Sequence, residues 1–478
     1  MTSSRTAPSN GATNGRVVIV GASLAGLRAA ETLREEGFTG HLTLIGDEPY
    51  EPYDRPPLSK AVLTGWLPAD HTTLPRQRDI AAAWLLGVPA VALDLQNRQV
   101  GLADGRRVGF DRLLIATGTR ARPWPDQKQA ALDGVFTVRS RNDAAQLRAR
   151  MVAGPKRVLI LGGGFIGSEV ASVCRELGLA VTLVERSATP LAGTLGQAAG
   201  TVAAQLQRHH GVDLRCNVTV LALEGDAQGK LRRAKLSDGD ELDVDVAVVA
   251  LGSIRNTEWL HGAGLAADAR GVVCDGACRA FDADGVVTDD IFVAGDVARW
   301  PHPLYGGEFL VVEHWSNAVE QAETAAHNML AGPSTRRAHK YLPSFWSNQF
   351  GINIKLVGLP TIADTIVLTQ GTAAERRAVA AYGHKDRIVA AITVNDPRWL
   401  PAYQALIEAR APFPPELHAA DGPAELRPLP AGFPLPGQPT HSIILEATGP
   451  GPSTPKPPTD EKSTALMDPR VPLGAPPL

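Results

Sequence analysis

Two stretches of the chain repeat one pattern, and this repeat constrains the fold more than any other feature. Residues 16–48 read RVVIVGASLAGLRAAETLREEGFTGHLTLIGDE, and residues 156–187 read KRVLILGGGFIGSEVASVCRELGLAVTLVERS. Each has an apolar run, a glycine-rich turn, a helical pattern and a second apolar run closed by acidic residues. This order is typical of a parallel strand that feeds a crossover helix. The repeat therefore predicts two βαβ units of the Rossmann-like, dinucleotide-binding type.

Later apolar runs indicate how the units are connected. FDRLLIATG ends at Gly118, VDVAVVALG ends at Gly252, and IFVAGD at 291–296 has no counterpart in the second copy. We therefore expect the second unit, residues 126–252, to be inserted into a first domain made of 16–125 and 253–338. The runs NIKLVG, RIVAAITV and PAYQALIEA predict a third, small α+β domain over residues 339–410. The expected fold class is α/β, with two Rossmann-like domains and this C-terminal domain.

Composition excludes several kinds of partner. The 478 residues carry a formal net charge of −3, which gives no general attraction to nucleic acid or to an anionic membrane. The longest apolar stretches fall short of the roughly 20 residues that a membrane-spanning helix needs. The four cysteines show no C-x-x-C spacing, which disfavours a disulfide framework, a zinc site or a protein-held iron–sulfur cluster. We expect no metal site, so any redox chemistry comes from a bound cofactor.

The two ends of the chain differ from the middle. Residues 1–15 contain no apolar run of the secretory type, so we expect a disordered N-terminus and a cytoplasmic protein. Eighteen of the 37 prolines lie in residues 411–478, which predicts a disordered or polyproline-II tail. A docking tail for a partner is the alternative. HSIILEA at 441–447 is the one piece of it that we expect to be able to order.

The second glycine turn carries a nucleotide-binding pattern. Gly162-x-Gly164-x-x-Gly167 follows a strand and opens a helix, so the backbone can approach a pyrophosphate at the helix N-terminus. Glu185 ends the next strand, where a carboxylate can accept from ribose hydroxyls and would repel a 2′-phosphate. This favours NADH over NADPH, although Arg186 could pair with that phosphate. A plain surface acid is the alternative for Glu185.

The first glycine turn departs from the pattern. In Gly21-x-Ser23-x-x-Gly26 a serine replaces the second glycine, and the acids Asp47 and Glu48 come one residue late. Serine is small enough to keep a close approach to a ligand. A structural turn without ligand is the alternative, and the repeat argues against it.

Five further segments occur in an order that identifies a family. PYDRPPLSK, GGGFIGSE, VAGD, VEHW and FWS follow one another between Val17 and Ile407. In this set the chain resembles the FAD-dependent, NADH-using ferredoxin reductases that serve oxygenases, with putidaredoxin reductase and rhodocoxin reductase as members. The resemblance implies a glutathione-reductase-like fold, FAD and NADH as cofactors, and a small acidic ferredoxin as partner. That ferredoxin would supply a cytochrome P450 or another oxygenase.

The resemblance also implies roles for single residues. FAD would contact the first glycine turn with its pyrophosphate and the acids Asp47 and Glu48 with its adenosine ribose. It would also contact the basic residues Arg55 and Lys60, and the Val91 backbone near the adenine. The further FAD contacts are Thr117, Gly118, Arg139, Asp296, His314, Trp315 and Trp346. NADH would contact the second turn, Glu185, Gly252 and Glu313. Asp296 would hold a ribityl hydroxyl, while His314, Trp315 and Trp346 would lie near the flavin ring. Core packing is the alternative for the two tryptophans, and a surface ion pair for Glu313.

Lys60 and Glu169 match a family pair that meets beside the flavin. A lysine there can stabilise negative charge that develops on the reduced flavin, so both are candidate catalytic residues. A first-turn helix acid satisfied by the helix dipole is the alternative for Glu169. The C-x4-C pair of related disulfide reductases is missing, because that region holds PPLSKAVL, which excludes a dithiol relay.

Two other functions stay open. The acceptor could be rubredoxin, a quinone or oxygen, or the chain could be a redox-responsive binding protein similar to apoptosis-inducing factor. For the ferredoxin itself, the sequence offers basic residues as candidates for its docking site, with plain solvated arginines as the alternative: Arg299, Arg336, Arg337 and Lys340.

Overall fold

The computed structural model describes residues 13–372, 377–415, 425–428 and 443–448. The first unit begins with a buried strand and a helix, as the repeat predicts. Its elements are, in chain order, β1 (Arg16–Val20), α1 (Leu24–Glu35), β2 (His41–Gly46), the 3-10 helix Pro56–Ser59, α2 (Ala61–Thr64), the 3-10 helix Ala69–Thr72, β3 (Ala83–Leu86), β4 (Ala90–Asp94), β5 (Gln99–Leu102), β6 (Arg107–Gly109), β7 (Arg112–Ile115) and β8 (Thr119–Ala121).

The second unit repeats this plan around a parallel sheet. Its elements are α3 (Gln127–Ala130), β9 (Val135–Phe136), α4 (Arg141–Val152), β10 (Val158–Leu161), α5 (Phe165–Glu176), β11 (Val181–Glu185), α6 (Ala192–Leu195), α7 (Gln197–His209), β12 (Asp213–Cys216), β13 (Val220–Gly225), β14 (Leu231–Leu236), β15 (Glu241–Asp243) and β16 (Val246–Val249). The sheet order is β12-β11-β10-β16-β9, with every pair parallel. Strands β10 and β16 are buried along their whole length, which explains why VLIL and VAVV are continuously apolar.

The chain then returns to the first sheet. The elements here are β17 (Ser253–Arg255), the 3-10 helix Glu258–Leu260, β18 (Ala267–Asp268), β19 (Gly271–Val273), β20 (Arg279–Phe281), β21 (Val287–Val293), β22 (Ala298–Pro301), the 3-10 helix Pro303–Tyr305, β23 (Phe309–Leu310) and α8 (Trp315–Leu330). Strand β21 pairs in parallel with β7, giving the sheet order β20-β21-β7-β1-β2-β3. Helix α8 packs on α1 through small side chains such as Ala29, Ala322 and Ala326, all fully buried.

The C-terminal domain is a mainly antiparallel sheet with one helix on it. Its elements are β24 (Ser344–Gln349), β25 (Ile352–Gly358), the 3-10 helix Pro360–Ile362, β26 (Thr365–Thr372), β27 (Arg377–His384), β28 (Arg387–Val394), the 3-10 helix Pro397–Trp399, α9 (Leu400–Glu408), β29 (Glu425–Pro428) and β30 (Ile443–Thr448). The sheet order is β24-β25-β28-β27-β26-β30-β29. The three predicted segments of this domain correspond to β25, β28 and α9.

The described part of the tail contains two strands: β29, which the prediction of disorder did not include, and β30, which overlaps HSIILEA, the piece expected to be able to order. Strand β30 adds to the β26 edge in parallel register, and β29 pairs with β30. A sheet edge offers unpaired N–H and C=O groups, which a further strand can satisfy even in a proline-rich segment. Residues 411–415 of the predicted tail are also described, whereas its other residues, and residues 1–12 of the predicted disordered N-terminus, lie outside the described residues.

The two Rossmann-like units are joined by a short antiparallel pair. Strand β8 pairs with β17, with Ala121 opposite Ser253, so the two chain crossings between the units run side by side. The predicted fold class, two Rossmann-like units plus a C-terminal α+β domain, is therefore observed. In the part of the chain that the structure describes, no helix has the length and apolarity needed to cross a membrane.

Candidate functional site

A cavity of about 520 Å³ opens where the first unit, the second unit and the C-terminal domain meet. Most of the predicted site residues lie in its wall. They are Gly21, Ser23, Asp47, Glu48, Arg55, Lys60, Thr117, Gly118, Arg139, Glu169, Asp296, Glu313, His314, Trp315 and Trp346. These residues come from widely separated parts of the sequence, between positions 21 and 346, so the fold has brought together what the motifs only suggested.

The glycine turn between β1 and α1 forms one end of the cavity. A Cβ on Gly21 would lie 2.0 Å from the Ala116 carbonyl oxygen, and one on Gly26 would lie 2.0 Å from the Gly21 carbonyl oxygen. Glycine is therefore required at both positions for the strand, turn and helix to pack this closely. Ser23 is the N-cap of α1, yet its side chain makes no capping hydrogen bond. The N-terminus of α1 is thus a place where backbone N–H groups can bind an anion.

Arg55 holds together the wall beside this turn. Its guanidinium donates to Glu48 Oε1 at 2.6 Å, to the Tyr53 hydroxyl at 2.9 Å and to the Arg139 carbonyl oxygen at 2.8 Å. The Tyr53 hydroxyl in turn donates to Glu48. Burial raises the pKa of Tyr53 above its usual range, so the phenol stays protonated as a donor. Asp47, by contrast, is exposed.

Asp296 lies at the carboxyl end of β21, deeper in the cavity. Its Oδ2 accepts from Arg139 Nη2 at 3.1 Å and from Thr119 Oγ1 at 3.3 Å. Thr117 lies nearby and is held by Asn256, which donates to its carbonyl oxygen at 2.8 Å. This part of the cavity therefore offers a carboxylate whose charge is balanced by one arginine.

Lys60 and Glu169 meet across the two units, as the sequence predicts. Lys60 Nζ donates to Glu169 Oε2 at 2.6 Å, and Ser59 Oγ donates to the same oxygen at 2.6 Å. Ser347 of the C-terminal domain donates to Oε1 at 2.6 Å. Glu169 is only 3% exposed, whereas a quarter of the Lys60 side chain is exposed. The pair therefore presents its cationic end to the cavity.

Aromatic side chains close the cavity around this pair. Trp315 begins α8 and donates its indole N–H to Asp54 Oδ1 at 2.8 Å. Burial raises the pKa of Asp54 even though this hydrogen bond opposes the change. Phe345 of β24 stacks on Phe165 with ring centroids 3.4 Å apart. Trp346 comes next on β24.

His314 is the N-cap residue of α8 and also lines the cavity. Burial lowers the pKa of His314 to about 4, so the ring is neutral at physiological pH. Its Nδ1 is buried without a hydrogen-bond partner among the described residues. A polar atom in this state is a place where a bound molecule can supply the missing partner.

Glu313 lies at the rim, where the crossing strands end. It accepts from Ser253 Oγ at 2.6 Å and forms an ion pair with Arg255. The carboxylate is thus already paired within the protein, as the alternative interpretation from sequence holds. It still belongs to the cavity wall.

Val91 lines a second, adjoining cavity of about 360 Å³. The two cavities share wall residues at the glycine turn and at the end of β2, among them Gly21, Gly46 and Asp47. Val91 is 52% exposed and packs in no core. The adjoining cavity extends the first one past Asp47.

The remaining predicted residues lie on the second unit and do not line the large cavity. A Cβ on Gly167 would lie 2.0 Å from the Gly162 carbonyl oxygen, the same close approach as in the first unit. Around Gly164 a Cβ would meet nothing within 4 Å, which leaves open space at the N-terminus of α5. Both Glu185 oxygens accept backbone N–H bonds, from Gly163 and Ser187, each at 2.7 Å. Gly252 lies in the short link between β16 and β17.

Some residues of the site were missed from the sequence. Asp54 and Ser59 lie inside the PYDRPPLSK segment, and Ser347 lies inside FWS, so the motifs contained them without indicating a role. Phe165 lies inside GGGFIGSE. Asn256 belongs to no motif, and only the fold brings it to Thr117.

The chain matches two protein families and several known proteins. The family described as "Pyridine nucleotide-disulphide oxidoreductase" matches residues 15–322, and "Reductase C-terminal" matches residues 344–429. The "Probable ferredoxin reductase CtmF" of Castellaniella defragrans is 36% identical over 388 residues, which is 80% of this chain and 91% of the relative.

A second relative and a solved structure agree with this match. The "Anthranilate 1,2-dioxygenase system ferredoxin--NAD(+) reductase component" of Burkholderia cepacia is 35% identical, covering 84% of this chain and 96% of the relative. The crystal structure of a covalent putidaredoxin reductase–putidaredoxin complex matches with a TM-score of 0.77 and 32% identity, covering 83% of this chain and 94% of that chain. The family resemblance and the fold class predicted from the sequence are confirmed.

Proposed function

Because the chain belongs to the pyridine nucleotide-disulphide oxidoreductase family, we propose that it is an NADH-dependent FAD reductase that passes electrons to a small ferredoxin. That ferredoxin would supply a cytochrome P450 or another oxygenase. The observation that carries the proposal is the cavity that runs from the Gly21 turn to the Lys60–Glu169 pair and on to Trp346. An extended cofactor with a phosphate at one end and a redox-active ring at the other fits this order of groups.

FAD fits the residues present at each part of the cavity. The close-packed turn and the N-terminus of α1 suit the pyrophosphate. Glu48 and Asp47 lie where the adenosine ribose would bind, and Val91 lies beside the adjoining space for the adenine. Asp296 would accept from a ribityl hydroxyl, and the unpartnered His314 Nδ1 would gain a partner. Arg55, Thr117, Gly118 and Arg139 complete the proposed FAD contacts.

NADH is proposed to bind on the second unit. The space around Gly164 and the α5 N-terminus suits its pyrophosphate, and Glu185 would accept from the adenosine ribose hydroxyls. The nicotinamide would then reach the cavity past Phe165, at the first turn of α5. Gly162, Gly167, Gly252 and Glu313 belong to the same proposed site. The carboxylate of Glu185 favours NADH over NADPH, because a 2′-phosphate would be repelled.

The chain's own residues supply positioning and charge. The chemistry that FAD contributes when bound is the acceptance of a hydride and the release of electrons one at a time. Lys60 holds an ammonium group at the cavity wall and stabilises negative charge beside it. Glu169 fixes that ammonium at 2.6 Å. Trp315, held by its hydrogen bond to Asp54, would shield the bound flavin ring from water.

The proposed ferredoxin is a separate protein, and it would dock on the surface of this chain. Of the basic residues singled out from the sequence, Arg336 is bound to Asp289 at 3.0 Å and is mostly buried. Arg299 stacks over the Phe309 ring at 5.8 Å. These two arginines are therefore engaged within the protein, whereas Arg337 and Lys340 are exposed and stay candidates.

The domain boundaries and the location belong to the same proposal. We assign residues 16–125 and 253–338 to FAD binding, 126–252 to NADH binding and 339–410 to the C-terminal reductase domain.

The side chains of Cys174, Cys216, Cys274 and Cys278 are free thiols. Free thiols fit a reducing compartment, and we propose the cytoplasm.

The proposal is tested by rapid mixing of the purified yellow protein under anaerobic conditions. NADH should bleach the flavin band faster than NADPH does, and one oxidised ferredoxin of a panel should restore it quickly. Restoration only by rubredoxin, a quinone or oxygen would replace the ferredoxin in the proposal. Sluggish bleaching with no reoxidation by any carrier would overturn the reductase assignment and favour a redox-responsive binding protein.

A further inference from the structure

The carboxylate of Glu169 receives donors from two other parts of the protein. Ser59 and Lys60 approach Oε2 from the first unit, each at 2.6 Å. Ser347 approaches Oε1 from the C-terminal domain, also at 2.6 Å. Glu169 itself lies on α5 of the second unit. One buried carboxylate is therefore the point at which three parts of the chain are hydrogen-bonded together.

The geometry of β24 explains why Ser347 arrives there. Alternate residues of a strand share one face, so Phe345, Ser347 and Gln349 point the same way. Phe345 stacks on Phe165, and Ser347 bonds Glu169, four residues further along α5. Residues four apart on a helix lie on one side of it. This face of β24 therefore lies along one side of α5, next to the cavity.

The hydroxyl of Ser347 has no freedom to turn away. Gln349 Nε2 donates to Ser347 Oγ at 3.0 Å, and both residues are almost completely buried. An ionised carboxylate can only accept, so the single hydroxyl proton of Ser347 points to Glu169. Gln349 thus fixes Ser347 as a donor.

We propose that Ser347, oriented by Gln349, is a positioning residue that holds the Glu169 carboxylate against Lys60 and so fixes the Lys60 side chain beside the flavin. The inference rests on the proposed function, since it concerns the same pair. A buried carboxylate is stable only when its oxygens are hydrogen-bonded. Without Ser347, Oε1 loses its donor and the carboxylate can turn away from Lys60. The Lys60 side chain is then no longer held toward the flavin.

The test compares two serines that both join α5 to the C-terminal domain. Ser347→Ala removes the donor to Glu169. Ser172→Ala is the matched control, because Ser172 Oγ accepts from the Phe350 N–H at 2.7 Å and does not touch Glu169. Ser347→Cys keeps the volume and offers a weak S–H donor, so it decides the matter if the alanine variant does not fold.

Two readouts are measured on the protein as purified. The first is flavin reduction by NADH in rapid mixing, with its dependence on NADH concentration. The second is acetylation of Lys60 by acetic anhydride, followed by mass spectrometry with the exposed Lys385 as internal reference. We expect Ser347→Ala to slow reduction about tenfold at saturating NADH, with the NADH concentration for half-maximal rate unchanged within about twofold. Acetylation of Lys60 should accelerate by a similar factor.

The two hypotheses fail differently. If the wild-type protein is reduced by NADH and Ser347→Ala matches Ser172→Ala in both readouts, the positioning role is overturned and the proposed function stands. If the wild-type protein is not reduced by NADH, the proposed function fails. Acetylation of Lys60 then still decides the inference, because faster labelling in Ser347→Ala supports it and equal labelling overturns it.

Discussion

The backbone N–H of Gly163 donates to Glu185 Oε2 across 2.7 Å, although 22 residues separate the two. The other carboxylate oxygen accepts from the Ser187 N–H at 2.7 Å. A Cβ on Gly163 would lie 3.1 Å from Glu185 Oε2 and 3.0 Å from Pro190 Cβ. A side chain at 163 would therefore disturb the carboxylate. Glu185 is fixed against the glycine turn, where a dinucleotide would lie.

This arrangement makes Glu185 the residue to test for coenzyme choice. We expect Glu185→Ser to raise the KM for NADH and to lower the ratio of kcat/KM for NADH over NADPH about tenfold or more, because the repulsion of a 2′-phosphate is removed. Steady-state kinetics with both coenzymes measures the ratio. Glu224→Ser is the control, since that carboxylate pairs with Lys235 at 2.7 Å on β13. An unchanged ratio in Glu185→Ser would show that the carboxylate only supports the turn.

Gly26→Ala should unfold the FAD site. The added methyl would lie 2.0 Å from the Gly21 carbonyl oxygen, which is a backbone atom and cannot swing aside as a side chain could. Overpacking of this kind costs about 3 kcal/mol, so we expect lower stability in urea and little bound flavin. Gly276→Ala is the control, because a Cβ there would meet nothing within 4 Å. Normal flavin content in Gly26→Ala would contradict the proposed position of the pyrophosphate.

Lys60→Met should slow flavin reduction while leaving the flavin bound. The methionine keeps most of the volume but removes the charge that would stabilise the reduced flavin, and we expect a loss of about 10- to 100-fold in the rate with NADH. Rapid mixing measures that rate. In Lys60→Met with Glu169→Gln, the second change should add little, because the two residues act as one unit. Full additivity of the two changes would mean that they act independently.

The sequence was sufficient for the parts of this molecule that depend on local pattern. The repeated strand, turn and helix fixed both Rossmann-like units, because glycine at positions 21, 26, 162 and 167 is imposed by close packing that any such unit needs. The C-terminal strands followed from continuous apolar runs such as RIVAAITV. These signals lie within a few residues of one another, so a single sequence reveals them without an alignment of relatives.

Contacts between distant residues could not be predicted in this way. Ser347 is 178 residues from Glu169, and Trp315 is 261 residues from Asp54. Which serine reaches a carboxylate depends on how β24 lies along α5, and no periodicity encodes that. The pairing of β30 with β26 was missed for a related reason, since proline density describes the tail's composition and not the sheet edge that it meets.

A buried histidine outside the site gives the stability a defined pH dependence. The imidazole of His339 is 3% exposed, and its Nε2 donates to Asn317 Oδ1 at 3.0 Å. Burial, and secondarily the neighbouring His302, lower the pKa of His339 to about 3. Burial also lowers the pKa of His302. Tyr341 is a titratable neighbour whose ring centroid lies 6.4 Å from that of His339, and burial raises its pKa.

The sign follows from linkage. In the unfolded chain a histidine has a pKa of about 6.5. Below that pH the unfolded state binds a proton that His339 does not bind in the folded protein, and this proton uptake favours unfolding. The contribution of His339 to the free energy of unfolding is therefore fully present above about pH 6.5 and declines as the pH falls toward 3. At pH 5 the loss from this residue is about 2 kcal/mol.

His339→Gln keeps an N–H donor for Asn317 and does not titrate, so the fall in unfolding free energy between pH 7 and pH 5 should shrink by about that amount. Urea titrations at the two pH values measure it, with exposed His209→Gln as the control. Equal falls in wild type and His339→Gln would show that His339 is protonated in the folded protein.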